Sequence, residues 1–264
     1  MELQRIQTII DKEWAEVFKN RLVLFTVTLL PLLFTVLPLG LLFSMRSSGS
    51  ISGDVADLPP SMLEACSQLA ALDCFQIYIV NQFLVLYMMM PLFIPIAIAA
   101  YSVVGEKTTR SLEPLLATPI STEELLAGKS LAAVIPAIGA TWAAFALFVA
   151  GALLIGVAPA VVANLLSPVW WAAVFVVGPL LSGVAVNIAL IVSSRVSDPR
   201  AAEQIAGVVI VPLIAVLFGQ LAGVIILNVQ FMLIAIGVLA GLNVALIIAG
   251  ARLFQREAIL TKWK

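Results

Sequence analysis

The chain has 264 residues, of which 62% are hydrophobic and 11% charged, with 14 basic residues against 15 acidic ones. Soluble domains carry about 45–50% apolar and about 25% charged residues, so a soluble globular fold, a disordered chain and a basic nucleic-acid binder are all excluded. With no histidine and only two cysteines, the chain lacks the usual metal ligand and general base and cannot form a four-thiolate site.

Residues 1–21 come first in chain order. Leu3, Ile6, Ile10, Trp14, Val17 and Phe18 recur at helical spacing, while Glu2, Arg5, Asp11, Lys12, Glu16 and Lys19 fill the other face. The pattern predicts an amphipathic helix lying in the membrane interface, the alternative being a helix packed on a partner. It is not a cleavable signal, which needs a short apolar core and a small-residue cleavage site.

Residues 22–264 are read as a membrane domain. A span needs about 20 apolar residues, and a charge at its centre costs about 2.5–3.5 kcal/mol. The charge-free stretches Leu22 to Met45, Cys74 to Gly105, Ser130 to Ser194 and Gln204 to Ala251 then hold one, one, two and two helices. The six spans are expected near residues 22–45, 78–104, 131–154, 169–193, 205–225 and 231–251, with turns at Gly156 to Pro168 and around Asn228. Prolines inside them are tolerated as kinks. With six spans, every basic residue except Arg46 falls on the side of the two termini, so the positive-inside rule makes both termini cytoplasmic. The fold class is therefore all-α: a polytopic membrane protein with six transmembrane helices behind an interfacial helix.

The external loop, residues 46–77, is acidic and holds a helix expected from Ser61 to Leu72. It also holds Cys66 and Cys74. On one continuous helix these would lie about 12 Å apart, beyond disulfide reach. A bridge therefore requires a break between them, and two free thiols are the alternative. The cytoplasmic loop, residues 105–129, is the most charged. Thr108 to Ala117 can form a short helix with Leu112, Leu115 and Leu116 on one side and Arg110 and Glu113 elsewhere, ended by Thr118-Pro119. Ser121 with Glu124 is a capping-box pattern that should start the third span.

Several chemistries are absent. Gly128-Lys129-Ser130 resembles the tail of a phosphate-binding loop, but Glu123 stands where the first glycine should be. The expected spans contain no Asp, Glu, Lys, Arg or His, which argues against a proton-coupled carrier. Thr141, Asn187, Gln220 and Asn243 could line a path, although such residues more often bond helix to helix. Ser182 also falls within a span, with Asn81 and Gln82 near an outer end.

Glu106-Lys107-Thr108-Thr109-Arg110-Ser111-Leu112-Glu113-Pro114-Leu115-Leu116-Ala117-Thr118-Pro119, with Gly128-Lys129 beyond it, resembles the loop of the type-2 ABC exporter permeases. The tail Arg252 to Leu260 is similar to that family's last helix. The resemblance implies that this loop is a coupling helix docking on a separate ATPase subunit. Glu106, Arg110, Glu113, Leu112, Leu115, Leu116, Thr118 and Pro119 would then form the coupling site. It further implies a permease dimer, of two copies or two related chains, in the cytoplasmic membrane of a bacterium or archaeon. ATP and magnesium would sit on the partner, with no cofactor or catalytic residue in this chain. The remaining partners expected are membrane lipid and an external protein at loop 46–77. A stand-alone carrier and a scaffold subunit without transport stay open as other readings.

Overall fold

The structure, a computed structural model, describes residues 3–19, 21–48, 69–108 and 120–253, and among these every regular element is a helix. Helix α1 (Leu3–Val17) leads into span 1, α2 (Arg21–Ser48). Span 2 is α3 (Ala71–Tyr87) followed by α4 (Met90–Thr108), and span 3 is α5 (Thr122–Ile155). Span 4 combines α6 (Pro159–Leu165), α7 (Pro168–Ala172), a π-helical stretch (Ala173–Val177) and α8 (Gly178–Ser193). Span 5 is α9 (Pro199–Ala206), a 3-10 turn (Gly207–Ile210) and α10 (Val211–Leu221), and span 6 is α11 (Val229–Leu253). All six are long and apolar enough to cross a bilayer.

Span 2 is the centre of the bundle. It packs against α5, α8 and α9, and Leu92, Ile94, Ile98, Ala99 and Ala100 along it are fully buried or nearly so. Span 6 lies at the periphery, with Met232 and Gly250 as its buried residues. Tyr87 joins three spans: its hydroxyl is 2.9 Å from Thr35 Oγ1 and 3.5 Å from the Ala144 carbonyl.

The helix ends differ from the expected ones in informative ways. The segment Gly156 to Pro168 is not a simple turn. Gly156 closes α5 in the left-handed conformation, φ 72°, as a C-terminal glycine does. Pro159 and Pro168 then start two further short helices, because proline is preorganised for the first helical turn. Span 5 begins at Pro199 rather than near 205, since the Asp198 side chain accepts from the Arg200 N–H and caps it. Span 2 is not one uninterrupted helix. Met88 and Met89 bond only three residues back, ahead of Pro91, which has no N–H to give.

The expected helix Ser61–Leu72 lies mostly outside the described residues, and Leu69 and Ala70 are not helical. Cys74, in the first turn of α3, is disulfide-bonded, while Cys66 lies outside the described residues.

Candidate functional site

The structured part of the coupling region is where α1 meets the ends of α4 and α5. Ile6, Ile9, Glu13 and Val17 are the buried residues of α1. Their spacing of three and four places them on one stripe, laid against α5. Leu3 and Phe18, expected on the apolar face, are 82% and 41% exposed. The buried face is thus rotated from the expected one and carries a carboxylate at its centre.

Two features of α5 receive this stripe. Gly128 makes room for Ile9: a Cβ there would lie 2.7 Å from Ile9 Cγ2. Lys129 supplies the charge. Its ammonium donates to Glu13 Oε1 and Ser102 Oγ, both at 2.8 Å, and lies 2.9 Å from Glu106 Oε2. Lys12 closes the ring by donating to Glu106 Oε1, and it also lies 3.6 Å from Glu16. Two ammonium groups thus face two buried carboxylates, Glu13 and Glu106, and cancel them. Burial alone would raise the Glu13 carboxyl, but the Lys129 charge and hydrogen bonds from Lys129 and Ser102 outweigh it and hold the group below its usual value. For Lys12 burial pulls down, while the hydrogen bond and charge of Glu106, with Glu13 and Glu16, raise it above the usual value.

A second contact lies five residues before Lys129, at Glu124. The Ser121 hydroxyl accepts from the Glu124 N–H and the Glu124 carboxylate accepts from the Ser121 N–H, forming the expected capping box. Glu124 Oε2 also lies 3.6 Å from Arg5 on α1. The N-terminal helix therefore holds both flanks of the 109–119 segment. Glu106 lies on the near flank, and Glu124 and Lys129 lie on the far one.

Of the expected coupling residues, Glu106 is in this cluster. Arg110, Leu112, Glu113, Leu115, Leu116, Thr118 and Pro119 lie outside the described residues. The expected path residues do not converge. Thr141 is buried and bonds the Ala137 carbonyl within its own helix, and Asn187 does the same to Gly183. Asn243 reaches from span 6 to the Leu180 carbonyl of span 4 at 2.9 Å. Gln220 Oε1 is buried without a hydrogen-bond partner. The sequence presents Lys129 as a basic residue on the side of the termini and as part of the Gly128-Lys129 pair, with no ion partner, and gives Glu13 no role. The available signal was a lone carboxylate among Ile6, Ile9 and Val17, at a position an amphipathic helix would give to an apolar residue.

Among the described residues no group of three or more histidine, cysteine or acidic side chains could hold a metal ion. No curated protein matches the sequence. The family profile of ABC-2 family transporter proteins matches residues 7–258, a match that includes most of α1 and all six spans. The chain belongs to the ABC-2 transporter family and is the permease component of an ABC transporter, an integral membrane protein rather than the ATPase itself.

Proposed function

We propose that this permease is one half of an ATP-driven exporter, pairing with a second copy or a related chain above a dimer of ABC ATPase subunits. Both termini face the cytoplasm in this reading, as the distribution of basic residues favours. The segment from Arg110 to Pro119 docks on the ATPase and brings Glu113 and Leu115 into contact with it. ATP and magnesium bind to that partner.

The observation that carries the reading is the grip of α1 on both flanks of this segment. A push at residues 109–119 reaches Glu106 and Lys129 first. Glu106 stands at the end of the central span and Lys129 near the start of span 3. The charge cluster makes these two ends and α1 one mechanical unit, so movement of an ATPase is delivered to spans 2 and 3 together.

The test is purification of the tagged chain from its native membrane in mild detergent, followed by ATP-hydrolysis assays. An ABC ATPase is expected to co-purify and hydrolyse ATP. Glu113→Ala or Leu115→Asp should release it. Lys129→Met should leave it bound but slow transport relative to hydrolysis. A chain that purifies without an ATPase and without hydrolysis would overturn the proposal.

A further inference from the structure

Span 5 changes character at its 3-10 turn, Gly207–Ile210. Before the turn, Ala202 and Ala206 of α9 are fully buried, and Ala202 clusters with Ala100 and Val104 of α4. Beyond it, α10 has no buried residue, and its main helical contact is with α3. A cavity of about 400 Å³ separates α10 from spans 4 and 6. Val209 of the turn and Leu213 and Val216 of α10 form one wall, and Val184 of α8 and Ala235 of α11 belong to others.

The helix α10 is jointed at both ends. A 3-10 stretch within a helix often marks a hinge, because its hydrogen bonds are poorer than those of an α-helix. Here the turn is followed by Pro212, which has no N–H to return to the Val208 carbonyl. An added Cβ at Gly207 would meet nothing within 4 Å, so no neighbour braces the joint at that residue. At the far end the chain leaves helix at Ala222, turns at Gly223 with φ 70°, and resumes helix at Val229.

The far turn is fixed to α10 itself. The Val224 and Ile225 N–H groups both bond the Gly219 carbonyl, and a Cβ on Gly219 would lie 2.4 Å from Ile225 Cδ1. Helix and turn are thus one body, joined to α9 by the 3-10 turn and to span 6 by residues 226–228. The cavity gives that body somewhere to go. Its apolar walls offer water no hydrogen-bond partner, and atoms facing a void forgo the contacts that close packing supplies. Bringing α10 onto α8 and α11 recovers those contacts.

We propose that α10 and its turn form a flap hinged at Gly207–Ile210, which closes the cavity by swinging onto spans 4 and 6, the structure here being the open form. The helix α9 stays on α4 as the flap moves. The flap is a property of a single chain and does not depend on the exporter reading. Where that reading holds, α9 ties the hinge to the same end of span 2 that carries Glu106.

The test uses the full chain in phosphatidylethanolamine–phosphatidylglycerol nanodiscs, with spin-label pairs read by double electron–electron resonance. One label stands at Leu154→Cys on span 3, which packs against span 4. The other stands at Phe218→Cys on α10 or at Ile205→Cys on α9. All three positions are exposed, and the unsubstituted chain serves as the labelling blank. The Phe218 pair should show two distances, the shorter from the closed flap, while the Ile205 pair shows one. Pressure should enlarge the shorter population, because it favours the state with less void. Ala235→Phe, which fills the cavity from span 6, should remove the shorter distance. Monodisperse elution shows whether that variant folds, and the pressure response of the unfilled chain decides the matter if it does not. A single distance for the Phe218 pair, unmoved by pressure, would overturn the proposal and mark the cavity as rigid or filled. Equal splitting in the Ile205 pair would also overturn it, by moving the hinge away from Gly207–Ile210.

Discussion

Lys129 Nζ lies 2.8 Å from Glu13 Oε1 with both side chains 2% exposed, joining residues 116 apart in the chain. Burying two charges costs several kcal/mol each, and their attraction does little more than offset that cost. The pair is therefore better understood as a device for position than as a source of stability. Any other register of α1 on α5 would leave two charges buried alone.

Removing one partner should be costly. Lys129→Met leaves Glu13 and Glu106 buried with reduced compensation, and a loss of about 3–5 kcal/mol is expected. Thermal unfolding in detergent measures it. Glu13→Gln combined with Lys129→Met should cost less than the two single changes added together, because the groups share one network. Additive losses would mean that the contact carries no coupling.

The cluster also sets a pH window. The Glu13 carboxyl is lowered in the folded protein from an ordinary value of 4.5. Its contribution is complete above that value and is lost as pH falls through the lower, folded one. Lys12 is raised from 10.5, so its contribution is complete below that value and is lost as pH rises through the higher one. Docking of α1, followed by the mobility of a spin label at the exposed Thr8, should stay flat between these limits. Glu13→Gln should remove the acid limb alone.

Gly128 offers a steric test of the same contact. An added Cβ would lie 2.7 Å from Ile9 Cγ2 and 2.8 Å from Ile9 Cβ, and neither atom is the free end of a flexible chain. Gly128→Ala should lift α1 from α5 at a cost of about 1–3 kcal/mol. Ile9→Ala in the same chain should recover part of it. Protease accessibility of α1, compared between single and double variants, reads the effect.

Asn243 makes a polar contact between span 6 and span 4. Asn243 Nδ2 donates to the Leu180 carbonyl at 2.9 Å, and a Cβ at Gly183 would lie 2.3 Å from Asn243 Oδ1. Gly183→Ala should expel the amide and loosen span 6, at about 0.6–2 kcal/mol for the interhelical bond. Asn243→Ala should be no worse in the Gly183→Ala background than in the parent. Unfolding midpoints of the four proteins close the cycle.

The spans could be read from sequence because charge is so costly in a bilayer that Arg46, Lys107, Arg195 and Arg252 bracket them. The break at Met88 and Met89 and the short helices after Gly156 could not be. They lie inside apolar runs, where hydropathy does not distinguish a bent helix from a straight one. Ser121 and Glu124 were legible because a capping box is local. The cluster of Glu13, Glu106 and Lys129 was not, because its members come together only after α1, α4 and α5 have packed. Asn243 illustrates the same limit. Its polarity was plain in the sequence, whereas its partner, a backbone carbonyl on another span, was not.

The π-helical stretch in span 4 is supported from span 3. The Gly178 N–H bonds the Ala173 carbonyl five residues back, and Pro179 has no N–H to give to the Val174 carbonyl. That carbonyl instead accepts from the Trp142 indole N–H at 3.2 Å. Trp142→Phe keeps a ring beside Phe175, whose centroid is 5.2 Å away, but withdraws the donor. Leaving the carbonyl unpaired should cost about 1–3 kcal/mol. Pro179→Ala returns a backbone N–H within reach of a regular helix. The double variant should therefore recover stability that Trp142→Phe alone loses, with the π stretch reverting to α. Unfolding midpoints measure the recovery, and amide exchange at residues 178–180 follows the change of register. Equal losses in the single and double variants would mean that the indole hydrogen bond is not what holds the stretch in place.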